Sequence, residues 1–156
     1  MSAQGERRLT VLALGSSHGD DEAAWHVAEL LKSDPAFAGR CVSLASPWDV
    51  LPYLQTGGAI AIVDACQSGA ASGSIHRWPA RGLPSHRGTR TSSHGGSLNE
   101  AFGLATSLGC DLSNVVVFGI EVESVEPGTG VSVAVRQAAE TLAQQLRCSV
   151  PRTRQV

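Results

Sequence analysis

No apolar run in this chain of 156 residues reaches the roughly eighteen residues that a membrane-spanning helix needs, so no insertion into a membrane is expected. The polar stretch Met1 to Arg8 leads only into Leu9 to Leu14, which lacks the length and cleavage signature of a secretory signal. A cytoplasmic location is the expectation. Lysine is nearly missing, with Lys32 the only one, and the formal net charge of -2 offers no cationic field for nucleic acid. There is no CxxC pair either: Cys41, Cys66, Cys110 and Cys148 are scattered, and they read as four reduced thiols. Internal repeats and low-complexity segments are absent as well.

What is present describes a globular protein, 42% hydrophobic and 17% charged. Its length suits one domain over residues 1–156 with its own core, and residues 1–8 and 149–156 read as flexible tails. Leu9 to Leu14, ended by Gly15, predicts a strand buried on both faces. From Asp20 onward, Ala24, Val27, Ala28 and Leu31 lay one apolar stripe along a helix, and the acidic residues at its start suit the dipole. Pro35 ends that helix near Ser33.

Further on, Cys41 to Leu44 predicts a short strand and Pro47 to Leu54 a short helix, while Ala59 to Val63 predicts a buried strand ending at Asp64. Ser74 to Trp78 is a candidate edge strand, and Pro79 to Ser93 is loop by composition. Ser97-Leu98-Asn99-Glu100 has the form of a capping box, so a helix should run to about Leu108 with Ala101, Leu104, Ala105 and Leu108 inward. Val115 to Ile120 is strongly strand-like, and Ser132 to Leu146 predicts a helix with Val135, Ala138, Ala139, Leu142 and Leu146 on one face. Cys148 to Val156 reads as a frayed tail. Alternating strands and helices imply an α/β fold, a three-layer αβα sandwich around a mostly parallel sheet of about five strands. Ligands collect at the carboxyl edge of such sheets, and both Gly15 and Asp64 directly follow predicted strands.

Three side chains at that edge carry recognisable chemistry. Asp21 lies in the triplet Asp20-Asp21-Glu22, Asp64 follows a buried strand, and His94 precedes the capped helix. Two carboxylates and one imidazole suit a borderline divalent ion such as nickel, zinc or copper and leave coordination positions open. Plain readings stand beside this one: Asp21 serving the helix dipole, Asp64 capping a turn, His94 as a loop histidine. Cys66 is a minor nucleophile candidate whose bland reading is a small buried residue. Trp25 and His26 could line a peptide groove, His18 could add a ligand, and Glu121, Glu123 and Glu126 could supply carboxylates; each is more ordinary as a packing, surface or turn residue. Arg77, Arg81, Arg87 and Arg90, among His76 and His86, form either a solvated loop or a docking loop for a protein partner.

Four blocks in order resemble the hydrogenase maturation protease family. Leu12-Ala13-Leu14-Gly15 with Gly19-Asp20-Asp21 and Val27-Ala28-Glu29-Leu30-Leu31 is similar to its opening block. Val63-Asp64-Ala65, with Ser68-Gly69-Ala70 and Gly73-Ser74-Ile75, is similar to the second, and Ser92-Ser93-His94 followed by Leu98 to the third. Phe118-Gly119-Ile120-Glu121, Ser124-Val125-Glu126-Pro127-Gly128 and Gly130-Val131-Ser132 closely match the fourth. The opening block departs from the family pattern at Ser16, in a turn to Gly19 that is one residue shorter, and at Glu22-Ala23-Ala24, which leaves Asp20 as an alternative ligand to Asp21.

The resemblance implies an endopeptidase that removes the C-terminal extension of a nickel-iron hydrogenase large-subunit precursor after nickel insertion. It assigns Asp21, Asp64 and His94 as contacts to the substrate's nickel, a site where another divalent cation such as zinc or cadmium could substitute. Catalysis would fall to Asp21 or Asp64 as general base, or to the metal as Lewis acid. A serine nucleophile has no G-x-S-x-G elbow to sit on. The rival classes are a metal-dependent chaperone of the large subunit that does not cut, and a nucleotide-binding module. For the latter, Gly15 to Gly19 lacks both the G-x-G-x-x-G spacing and a P-loop lysine, and Asp20, Asp21 and Glu22 would repel phosphate.

Overall fold

Stretches rich in valine, isoleucine and alanine form one sheet in the computed structural model, which describes residues 8–16, 19–83, 97–123 and 130–150. Among these, β1 (Thr10–Leu14), β2 (Cys41–Leu44), β3 (Ile60–Cys66), β4 (Ile75–Pro79) and β5 (Val115–Glu121) lie in the order β2-β1-β3-β5-β4. The β1–β2, β1–β3 and β3–β5 pairs are parallel, and β4 runs antiparallel to β5. Between the strands come α1 (Ala23–Lys32), α2 (Leu51–Leu54), α3 (Leu98–Ser107) and α4 (Val133–Ser149). This is the predicted α/β architecture, a mostly parallel sheet of five strands flanked by helices.

Alternation along each strand sends side chains to two separate cores. Val11, Ala13, Ala61 and Val63 meet Val27 and Leu31 of α1 and Val135, Leu142 and Leu146 of α4. On the opposite face Leu12, Leu14, Ile62 and Val117 meet Leu98, Ala101, Phe102 and Ala105 of α3, together with Val50 and Leu54. Each fully buried valine, leucine or isoleucine among them contributes about 1.5–3 kcal/mol. Alanine on both α1 and the facing strands lets that helix lie close to the sheet.

Three sequence expectations need correction. In α3 the inward stripe is Leu98, Ala101, Phe102 and Ala105, while Leu104 and Leu108 are 41% and 59% exposed. The phase set by the cap at Ser97 turns position 98 to the sheet, and positions 101, 102 and 105 follow it round the helix. Half of the predicted capping box is present, with Ser97 Oγ accepting the Glu100 amide at 3.2 Å. β3 does not stop before Asp64 but continues to Cys66, because β5 goes on pairing with it after β1 has ended. α4 extends to Ser149, so Cys148 belongs to a helix and not to a frayed tail. The outer parts of the predicted tails, 1–7 and 151–156, lie outside the described residues.

Candidate functional site

At the carboxyl edge, β1 hands over to Gly15, where a Cβ would lie 2.6 Å from the Asp21 carbonyl oxygen and 3.1 Å from the Trp25 ring. Glycine is what lets the acidic turn fold back on the strand end. Ser16 completes the closure: its amide donates to the Asp21 carbonyl at 3.3 Å, and its hydroxyl donates to Asp21 Oδ2 at 3.1 Å. The acidic triplet forms a 3₁₀ turn, Gly19–Glu22, leading into α1. Trp25 is committed to structure, since its indole N–H donates to the Leu44 carbonyl at 3.2 Å and ties α1 to the end of β2.

The two neighbouring aspartates face different environments. Asp20 is 2% exposed; its Oδ1 accepts the Ser132 amide at 2.8 Å, and its Oδ2 accepts the Glu123 amide at 3.2 Å and the Ser132 hydroxyl at 3.4 Å. It therefore fastens the opening turn to the segment after β5 and to the start of α4. Asp21 is half-buried, on the Ser16 side of the turn. That turn packs against β3, the strand that carries Asp64.

Asp64 stands where β3 outruns β1, opposite Gly119 of β5. It is half-buried, and its Oδ1 accepts the Ala65 amide at 2.9 Å. By alternation it shares a sheet face with Ile62 and Cys66, the face that α3 covers. His94, three positions before the cap of α3, lies outside the described residues, as do His18, His86, Arg87, Arg90 and Glu126. The turn of Asp21 and the strand of Asp64 thus adjoin, and the third predicted contact is not among the residues described.

A polar cluster that the sequence did not signal follows Asp64. Glu121, 2% exposed, collects five donors. The Ser68 and Gly69 amides reach Oε1 at 2.7 and 3.1 Å, while the Ser68 hydroxyl, His76 Nε2 and Cys66 Sγ lie 2.8, 3.0 and 3.4 Å from Oε2. Burial works to raise the Glu121 pKa, but the bonds from Ser68, His76 and Cys66 together outweigh it and hold the carboxyl below its ordinary value. Burial likewise pushes the Cys66 thiol up, reinforced by Glu121, so Cys66 is not poised as a thiolate nucleophile. Nor is this a serine-protease relay, because Ser68 Oγ, at 3.5 Å, and Glu121 both address the same ring nitrogen of His76.

His76 is held from its other side. Its ring stacks on Trp78, two residues along β4, with centroids 5.1 Å apart and planes 10° from parallel. Trp78 in turn covers Gly119, where a Cβ would come within 2.6 Å of the indole and 3.0 Å of Cys66 Sγ. What hid the cluster is register: Cys66 and Glu121 are direct partners across β3 and β5, and His76 faces Gly119 across β4 and β5. A cleft of about 360 Å³, lined by Ala59, Asn114, Arg77 and Gln145 among others, opens at the amino-terminal ends of β3 and β5, the wrong end of the sheet for Asp64. No helix among the described residues is long and apolar enough to cross a membrane.

Comparison with known proteins adds to this geometry. A profile of the HycI hydrogenase maturation protease family matches residues 44–147. The fold is shared with the nickel-iron hydrogenase maturation protease HycI from Thermococcus kodakarensis KOD1, at 21% identity and TM-score 0.66, with 92% of each chain covered. It is shared too with the hydrogenase maturating endopeptidase HybD from E. coli, at 18% identity and TM-score 0.70 over 91% of each chain. The endopeptidase HycI from E. coli is similar at 23% identity and TM-score 0.67, covering 90% of this chain and 89% of that one. No curated protein matches the sequence directly at a significant level.

Proposed function

Because this chain belongs to the hydrogenase maturation proteases, a family of endopeptidases, we propose that it removes the C-terminal extension of a nickel-iron hydrogenase large-subunit precursor once nickel is in place. In this reading Asp21, Asp64 and His94 contact the nickel carried by the substrate. Carboxylate oxygen and imidazole nitrogen suit a borderline divalent ion, and three protein contacts leave room for the ligands that the precursor already supplies. Metal in the substrate then adds binding energy, and an unloaded precursor is left uncut.

The observation that carries the reading is the packing of the Asp21 turn against the Asp64 strand at the carboxyl edge, with Asp20 committed elsewhere. The closing of Gly15 and Ser16 on Asp21 supports it, since the shortened opening loop still presents that residue. His94 enters through the family resemblance. Water can be activated by one of the carboxylates as general base or by the substrate's nickel as Lewis acid.

The test mixes purified protein with nickel-loaded and nickel-free precursor and follows loss of the C-terminal segment by mass. Cleavage of the loaded form alone is expected, abolished by Asp21→Asn and by Asp64→Asn. Equal cleavage of both forms would refute nickel recognition. A stable complex in which the segment is never lost would make the protein a chaperone.

A further inference from the structure

We propose that Cys66, His76 and Glu121 form a site for a resident borderline divalent cation, zinc in the first instance, separate from the contacts to the substrate's nickel. Their ligand atoms all lie within 4.8 Å of one another. Zinc bonds of roughly 2.0–2.3 Å place ligand pairs about 3.3–3.8 Å apart in a tetrahedral shell. The separations of 3.0 Å between His76 Nε2 and Glu121 Oε2 and 3.4 Å between Cys66 Sγ and Glu121 Oε2 need only small adjustments to accept an ion. A sulfur, an imidazole and one carboxylate select zinc, cobalt or nickel over magnesium or calcium, which prefer all-oxygen shells.

The surroundings are built as a metal site requires. Oε1 of Glu121 is held by the Ser68 and Gly69 amides, which leaves Oε2 aimed at the other two ligands. The Trp78 ring fixes the plane of His76. Such outer contacts orient ligands and tune affinity. Cys66 is fully buried, whereas His76 is 26% exposed, so the ion arrives from the His76 side, where Ser68 Oγ or water completes the shell. On binding, a metal–sulfur bond forms, the thiol proton leaves to solvent, and the imidazole proton moves to Nδ1 so that Nε2 can coordinate. The ion would join the end of β3 to β4 and so clamp the connection between them, two residues along the strand from Asp64.

Titration of the intact protein with cobalt, under reducing conditions, tests this by a signal that only sulfur coordination produces. In the wild type one equivalent of cobalt should saturate a near-ultraviolet sulfur-to-cobalt charge-transfer band, whatever else binds at the oxygen and nitrogen contacts of the nickel-recognition reading, and zinc should abolish the band. Cys66→Ser should lose the band, and His76→Gln should bind cobalt at least about tenfold more weakly. Asp64→Asn should keep the band, so this site and the nickel-recognition reading can fail independently. Zinc should also raise the melting temperature of the wild type more than that of Cys66→Ser. No band in the wild type, or a band surviving in Cys66→Ser, would leave the cluster as a hydrogen-bonded clamp and overturn the proposal. Should Cys66→Ser fail to fold, an unchanged cobalt affinity in His76→Gln overturns it equally.

Discussion

Asp20 Oδ1 accepts the backbone N–H of Ser132 at 2.8 Å, across 112 residues of chain. The bond divides the work of an acidic pair that looks equivalent in the sequence. Asp20 secures the turn, and Asp21 is presented beside β3. Asp20→Ala should therefore cost about 2–3 kcal/mol of stability, since it strands two amides and a hydroxyl in a buried place. Asp21→Asn, which keeps one oxygen acceptor for Ser16, should cost no more than about 1 kcal/mol while losing cleavage of the nickel-loaded precursor. Urea unfolding and the cleavage assay, run on both variants, check the division. A stable Asp20→Ala protein that no longer cuts would reverse the two roles.

Glu121 should govern the acid side of stability. Its folded carboxyl is held below the ordinary glutamate value of 4.5, so its contribution is fully present above that pH and is lost as pH falls through the lower folded value. Glu121→Gln should unfold more easily at pH 7 and show a shallower loss of stability below pH 4.5, because one titrating group is gone. Glu121→Ala, which removes every acceptor, should cost about 3 kcal/mol or more. Denaturation midpoints between pH 3 and pH 7 read both effects, and an unaltered acid slope in Glu121→Gln would contradict the assignment.

Gly119 and Gly103 should respond oppositely to alanine. A methyl at 119 meets the Trp78 indole at 2.6 Å and Cys66 Sγ at 3.0 Å, so Gly119→Ala should destabilise by about 1–3 kcal/mol through overpacking. At 103, in the exposed middle of α3, a Cβ has nothing within 4 Å, and Gly103→Ala should stabilise by about 0.5–1 kcal/mol. Thermal melts of the pair make the comparison, and tryptophan fluorescence should change in Gly119→Ala alone.

Thiol labelling should proceed in a set order. Cys148 is exposed and should react first with a thiolate-selective reagent at pH 8. Cys41 is half-buried and pushed up to about 11 by burial, so roughly a thousandth of it is thiolate at that pH and it should react far more slowly. Cys66 should label only on unfolding. Peptide mass mapping over time gives the order, and early modification of Cys66 would contradict its burial.

β1, β3 and β5 were legible because each is dominated by valine, isoleucine, leucine or alanine, and α4 because Val135, Ala139, Leu142 and Leu146 keep one phase throughout. The phase of α3 is ambiguous in the sequence because Leu98, Ala101, Leu104, Ala105 and Leu108 offer overlapping apolar stripes, and only the docked helix shows which one Phe102 joins. Asp21 and Asp64 could be nominated from their places after strands and from the family blocks. The grouping of Cys66, His76 and Glu121 was out of reach, since it needs the pairing partners of three strands and no local pattern encodes those. The role of Asp20 was hidden for the same reason, its partners being more than a hundred residues away.

Strand order also bears on how the chain is assembled as it leaves the ribosome. β4 is synthesised before β5, yet its ladder is with β5, which sits between it and β3. A nascent chain lacking residues 115–121 has nothing for β4 to pair with, and His76 waits unanchored while Cys66 and Ser68 have already emerged. Translation-arrested chains halted before and after that segment should differ in protease protection at 75–79. The polar cluster is thus a late product of biogenesis, closed when Glu121 reaches partners made early.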